Sequence, residues 1–490
     1  MTEQDRTFDV VVVGAGTAGI PCAVHAAQAG ARVLLVEKDV RIGGTLHVTG
    51  GHLAAAGTRR QAERGIDDTV EAHLADIRRI SQGTARDDLI TLVAENAPDT
   101  IEWLAERGFA FAPETPRIVY GHEPYTTART YYGKDEGISI LEVLEPELEQ
   151  AQAEHDLTLW TNAAVIELLT DDGGAVHGVT VYRDGADVKV RATAVVLTTG
   201  GYAAGPELFE ELEGSSLVSA AARTSTGDGI YLGREVGAGI QGKGTHLPTF
   251  GGLPDPQTPG RANWSDRQRL TSERPPREIY VDRNGSRWVR EDEESIDEKE
   301  RALTKIPGQT FWTIFDDAAL SLSTDPMNQM VVGKEPDDVR AMMNRRPGLH
   351  SAQSLLELAR LAGIDEAGLV ATVETYNRAV DAGKDPEFGR TYLPAPIAEP
   401  PFYAVRNHAI ALVTFQGLDI DATFAVLDGA RKPIAGLYAA GEVIGAGATC
   451  GNSFCSGMLL TPALTFGRLL GARLGNQLGR RPAVTTGAKA

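Results

Sequence analysis

Four consecutive valines, residues 10–13, run straight into Gly14-Ala15-Gly16-Thr17-Ala18-Gly19. A β-branched run of this kind reads as a strand buried on both faces of a parallel sheet. The alanine-rich stretch 20–29 then predicts a helix that Gly30 ends, and residues 32–36 predict a second strand that stops at Glu37. Strand, glycine turn, helix and strand make a βαβ unit, and each glycine has a separate task. Gly14 permits the tight turn, Gly16 lets backbone approach a pyrophosphate, and Gly19 lets the helix pack closely on the strand. Glu37 lies 18 residues after Gly19, where a carboxylate can accept hydrogen bonds from a ribose hydroxyl, with Lys38 beside it. The unit implies an adenosine diphosphate ligand bound at a helix N-terminus.

A second glycine turn, Gly43-Gly44-Thr45, follows almost at once. A nicotinamide dinucleotide rarely needs it, whereas FAD runs extended into the protein interior and does. Further strand ends closing in glycine or acid appear at Thr199-Gly200-Gly201 and at Gly441-Glu442, and Asp228 opens a helix after Thr226-Gly227.

Composition narrows the function classes. Lys and Arg number 47 against 67 Asp and Glu, a net charge of −20, which repels a phosphate backbone, so no nucleic-acid partner is expected. Three cysteines in 490 residues cannot make a disulfide framework and point to a reducing compartment. The polar N-terminus lacks the pattern of an export signal, and the most apolar stretch, 457–474, is broken by Pro462, Gly467 and Arg468. A soluble, cytoplasmic protein without a membrane partner is expected.

A chain of this length exceeds what one core serves. Residues 1–240 are expected to form the first part of a discontinuous FAD-binding domain, 241–395 an inserted α+β cap carrying the substrate side, 396–478 the rest of the FAD domain, and 479–490 a frayed tail. Within the first part, the irregular stretch 113–137 concentrates Tyr120, His122, Tyr125, Arg129, Tyr131 and Tyr132. Such a long loop is either functional or disordered, and its aromatic density argues against disorder.

Taken together, the chain resembles the FAD-dependent oxidoreductases that include fumarate reductase and succinate dehydrogenase flavoproteins and the 3-ketosteroid Δ1-dehydrogenases. The likeness rests on the motifs above, on Gly285-Ser286-Arg287-Trp288-Val289, on Thr372-Val373-Glu374-Thr375-Tyr376-Asn377, and on Thr465-Phe466-Gly467-Arg468. It implies an α/β Rossmann-like FAD domain with an inserted cap, and hydride transfer between flavin N5 and one carbon of a C–C bond while an acid or base handles the proton on the next. The cofactor residues it implies are Gly14, Ala15, Gly16, Ala18, Gly19, Glu37, Lys38, Gly43, Gly44, Thr45, Ala164, Thr199, Gly200, Asp228, Gly441, Glu442, Ser456, Gly457 and Leu459. FAD is expected to be noncovalent, because the position of a histidyl linkage is Gly44.

The substrate positions depart from the dicarboxylate enzymes. Counting along the motifs, their arginine acid becomes Ser295, their clamp histidine Val413 and their clamp arginine Ser453, while His246 only loosely matches the remaining histidine. A neutral, cyclic ketone is therefore expected, desaturated beside its carbonyl, with Tyr125 or Tyr120 as the hydrogen-bond donor or base and Ser295 at the acid position. An ene-reductase running the reverse reaction and a non-catalytic flavin-binding protein are the alternatives. Tyr125 also reads as a loop anchor and His122 as an ordinary hydrogen-bonding residue. Arg129 reads as solvated or as a binder of a carbonyl or acid group, Cys450 and Cys455 as packing residues or a redox pair, and 290–301 as a solvated helix face or, at Glu293, Glu294 and Ser295, as the family's acid position reaching the pocket. No metal site is expected, and the electron donor or acceptor is not identified.

Overall fold

The structure, a computed structural model, describes residues 7–215 and 218–479. The polar residues 1–6 and the tail expected at 479–490, except Gly479, lie outside the described residues.

Thr7–Val13 is the middle of the main sheet. It pairs in parallel with Val33–Val36 on one side, Val10 opposite Val33, and with Ala186–Leu197 on the other, Val10 opposite Ala194. Leu157–Trp160 extends the sheet beyond Val33–Val36, and Pro433–Ala439 extends it beyond Ala186–Leu197. Val10, Val11 and Val12 are fully buried, as a strand covered on both faces must be. Ala186–Leu197 is a twelve-residue strand that serves two pairings. Its first half pairs with Val176–Arg183 in an antiparallel meander and its second half enters the parallel sheet.

The helix Gly19–Gln28 packs against the C-terminal helix Leu460–Leu478 along a glycine seam. A Cβ at Gly467, Gly471 or Gly475 would lie 2.3, 2.2 or 2.5 Å from the carbonyl oxygens of Ala18, Cys22 and Ala26. Glycine every fourth residue thus brings two backbones into contact and holds the first helix from behind. These glycines, which interrupt the apolar stretch in sequence, are a packing surface.

The cap is built on a four-stranded antiparallel sheet in the order Ile279–Val281, Thr310–Asp316, Phe402–His408, Leu349–Ala352. Helices Leu355–Ala362 and Glu366–Ala382 share one of its hydrophobic cores. Phe402–His408 is thus an inner cap strand, so the return to the FAD domain falls after His408 rather than at 396. The tyrosine-rich loop contains the short strand Thr130–Tyr131, paired with Leu53–Ala54. Arg129 is fully buried, against the expectation of a solvated side chain. It forks onto both oxygens of Asp68 at 2.8 and 2.9 Å and reaches Asp76 at 2.6 Å. Asp76 also accepts the Thr126 N–H and hydroxyl, so one buried ion triad orders the loop.

Candidate functional site

One continuous cavity of about 1570 Å³ runs from the first βαβ turn to the cap. Its dinucleotide end is walled by Gly14, Gly16, Thr17, Ala18, Glu37 and Lys38, and it continues past Gly44, Thr45, Thr199, Gly200 and Asp228. Gly441, Glu442, Ser456, Gly457 and Leu459 line it farther on. Four expected cofactor residues are off the wall. The Ala15 N–H donates to Glu37 Oε2 at 2.8 Å, and Gly43 N–H donates to Ala15 O at 2.8 Å, so these two brace the turn. A Cβ at Gly19 would meet Gly14 O at 1.8 Å, which makes Gly19 a packing glycine. On the strand Ala163–Thr170 the wall residues are Ala163 and Val165; Ala164, between them, belongs to the other face.

The groove suits an extended dinucleotide on its own geometry. A Cβ at Gly16 would meet no atom within 4 Å, so the protein's packing does not demand glycine there, whereas close approach of a pyrophosphate does. Thr17 and Thr199 are on the wall, and their hydroxyls are buried without a partner. Glu37 is held by the N–H groups of Ala15 and Asp39, both at 2.8 Å, ready to accept from ribose. Lys38 pairs with Asp228 at 2.8 Å and with the Thr226 hydroxyl at 2.5 Å, joining two of the motifs. Burial pushes the Glu442 carboxyl up to about 7, against the pull of the Thr414 N–H and hydroxyl at 2.9 and 3.1 Å.

Toward the cap the lining changes to His52, His122, Val413, Phe454, Thr249 and Glu300. The His122 ring stacks on Phe454 at 5.3 Å and its Nδ1 has no partner. Desolvation lowers both His52 and His122 to about 4, so both rings are neutral at pH 7. Arg117, also on the wall, is paired with Glu273 at 2.9 Å.

The family model of the FAD binding domain matches residues 9–459. The chain belongs to that family. It is 31% identical to a probable fumarate reductase of Shewanella frigidimarina over 95% of its length and 74% of that protein's. It is 26% identical to the vinyl phenol reductase of Lactiplantibacillus plantarum, over 89% of this chain and 90% of that one. The fold matches the 3-ketosteroid Δ1-dehydrogenase of Sterolibacterium denitrificans with a TM-score of 0.79, over 96% of this chain and all of that one, at 21% identity. This protein is an FAD-dependent oxidoreductase acting on CH–CH groups. No helix among the described residues is long and apolar enough to cross a membrane.

The three residues expected to be catalytic in this flavoenzyme are not on the cavity wall. Tyr125 is buried, with its hydroxyl donating to Ser456 O at 2.6 Å and its ring between Arg129, 5.1 Å away, and His73, 5.4 Å away. Its side chain anchors the loop and steadies Ser456, which does line the cavity. Tyr120 is 45% exposed at the surface. Ser295 caps the helix Ile296–Leu303 by accepting the Glu298 N–H at 3.1 Å, and its hydroxyl donates to Glu123. Ser453, at the clamp arginine position, is buried and donates to Asp297. His246 lies edge-on between Phe209 and Phe415, off the wall. His47 lines the cavity with its Nε2 engaged by Ile42 O at 2.8 Å. Cys455 lines the cavity, while Cys450 sits behind it and reaches Met458 O at 3.5 Å.

The charge run 290–301 is not a solvated face. Asp297, Lys299 and Glu300 are all buried, and Ile296 and Glu300, one turn apart, border the cavity. Glu300 went unnoticed in the sequence because a carboxylate in a charged helix reads as surface. The usable signal was its i, i+4 relation to the apolar Ile296.

Proposed function

We propose that the protein moves a hydride and a proton across a carbon–carbon bond beside the carbonyl of a neutral, cyclic substrate, and that reduction of the activated C=C bond is its working direction. The observation that carries this reading is what replaces the cations of the dicarboxylate enzymes. Ser295 and Ser453 turn their hydroxyls to Glu123 and Asp297, and Val413 presents only methyls. The three matched positions thus supply no guanidinium fork for a dianion, and the arginines of the cavity wall, Arg117, Arg267 and Arg269 among them, come from other segments. The relatives support the direction by name, since both the Shewanella and the Lactiplantibacillus proteins are reductases and vinyl phenol is a neutral substrate.

Bound FAD supplies the two-electron hydride chemistry. Gly16, Thr17 and the N-terminus of Gly19–Gln28 hold its pyrophosphate, Glu37 its ribose, and Thr199, Glu442, Ser456 and Gly457 the interior portion. We take FAD to be noncovalent, because His47 is engaged by a carbonyl and Gly44 occupies the linking position. An electron donor outside this chain recharges the cofactor. Phe454 and Val413 offer the substrate apolar surface.

Desaturation of the corresponding saturated ketone, which the sequence ranks first, stands as a second reading because neutral His122, with Nδ1 free, is ready to accept a proton. Product analysis separates the two. Holoenzyme with reduced viologen is expected to convert 2-cyclohexen-1-one or a 3-keto-Δ1-steroid to the saturated ketone and to leave fumarate unchanged. Conversion of fumarate alone overturns the reading. Formation of an enone from a saturated ketone with an artificial acceptor, without any reduction, makes desaturation the function.

A further inference from the structure

We propose that Glu300 is the proton donor of this reaction, with Asp297 as the positioning carboxyl that reprotonates it; the inference rests on the C=C reading above. Two carboxyls on one helix, three residues apart, stand between the cavity and the loop that carries Ser453 and Cys455. Both oxygens of Glu300 and Oδ1 of Asp297 are buried without a hydrogen-bond partner. Buried polar atoms are nearly always paired, and a carboxyl left bare contributes nothing to the fold. Glu300 borders the cavity together with Ile296 from its own helix and with Thr249 and Leu270 from the facing segments.

The other candidates at the substrate end are engaged or of the wrong kind. Tyr125 donates to a carbonyl, Ser295 and Ser453 donate to carboxylates, and Arg117 is paired with Glu273. His52 and His122 are neutral and serve as acceptors. Glu300 combines a buried carboxyl that no ion pair engages, with only the Thr249 hydroxyl close enough to favour its charge, and a place on the wall.

Its surroundings keep the proton on. Desolvation is the largest influence and raises the carboxyl well above its ordinary value; the neighbouring Asp297 charge raises it further. Thr249, Lys299 and Arg301 pull the other way. Lys299 is spent on Leu270 O at 3.1 Å and Arg301 on Asn452 O at 2.8 Å, so neither closes an ion pair with Glu300. In the forward step one alkene carbon gains the hydride that reduced FAD supplies. The neighbouring carbon gains the Glu300 proton: its O–H bond breaks, a C–H bond forms, and the carboxylate is left behind. Asp297 then returns a proton, drawn from solvent past Arg301.

Glu300→Gln is the test, because a neutral amide copies the shape of a protonated carboxyl and cannot give up a proton. Reduced holoenzyme is mixed anaerobically with 2-cyclohexen-1-one while the flavin spectrum is followed. FAD content and reduction by dithionite are expected to match wild type, with reoxidation slowed about 10²- to 10⁴-fold and partly restored in Glu300→Asp. Asp297→Asn is expected to slow the later turnovers more than the first. Reoxidation of Glu300→Gln at the wild-type rate overturns the proposal. If wild type itself ignores the enone, the substrate reading fails, and infrared difference spectra of holoenzyme on flavin reduction decide Glu300 separately. A protonated-carboxyl band that shifts in D₂O and vanishes in Glu300→Gln supports the assignment; its absence from wild type overturns it.

Discussion

Replacing Gly16 by alanine separates the needs of the fold from those of the cofactor. The new methyl meets nothing within 4 Å, and Gly16 is not among the glycines with positive φ. The apo-protein is therefore expected to fold as before, with stability unchanged or raised by about 0.4–1 kcal/mol through the lost freedom of the unfolded chain. With FAD bound, the same methyl stands where the pyrophosphate approaches the backbone. Overpacking a close contact costs about 1–3 kcal/mol, which weakens binding about 5- to 150-fold. The assay is quenching of flavin fluorescence as apo-protein is titrated into FAD, beside thermal unfolding with and without FAD. Gly19→Ala is the control: its methyl would lie 1.8 Å from Gly14 O, so it is expected to lose the fold itself. Unchanged FAD affinity in Gly16→Ala would refute the placement of the pyrophosphate.

Tyr125→Phe removes the donor to a buried carbonyl and is expected to cost about 1–2 kcal/mol in denaturant unfolding, while the rate of flavin reoxidation by an enone stays within about twofold; a hundredfold fall would restore Tyr125 to the chemistry. Arg129→Met leaves buried Asp68 without its cation and Asp76 with only Arg79, and urea titration should show a loss of about 3–5 kcal/mol. Asp297, raised by burial to about 6, binds its proton more tightly folded than unfolded, where carboxyls titrate near 4. Folding stability should therefore fall as pH rises from about 4 to about 6, by about 3 kcal/mol from this group, and Asp297→Asn should flatten that slope in unfolding measured across the window. A slope identical to wild type would show that Asp297 titrates normally.

The cofactor end was legible because its chemistry is local. Val10 to Val13, the spacing of Gly14, Gly16 and Gly19, and Glu37 all lie within one βαβ unit, and each constraint acts between near neighbours in sequence. The substrate end was not, because long-range packing decides it. Phe402–His408 has the apolar pattern of any buried strand, and only its partner Thr310–Asp316, about ninety residues earlier, assigns it to the cap. Arg129 and Tyr125 look like loop residues until Asp68, Asp76 and Ser456 arrive from elsewhere in the chain. Glu300 reads as a solvated charge until the cap helix docks against the loop at Ser453. The departures at Ser295, Val413 and Ser453 were visible at once, and the structure adds what the two serines hold.

The central claim, a flavin site built for a neutral activated C=C bond, is tested most directly by one anaerobic stopped-flow comparison. Dithionite-reduced holoenzyme is mixed with 2-cyclohexen-1-one in one run and with fumarate in another, at equal concentration. Return of the oxidised flavin spectrum with the enone, and none above the buffer control with fumarate, is the expected result. Rapid reoxidation by fumarate with silence from the enone would contradict it, because a dianion would then be bound without any guanidinium from the positions of Ser295, Val413 and Ser453.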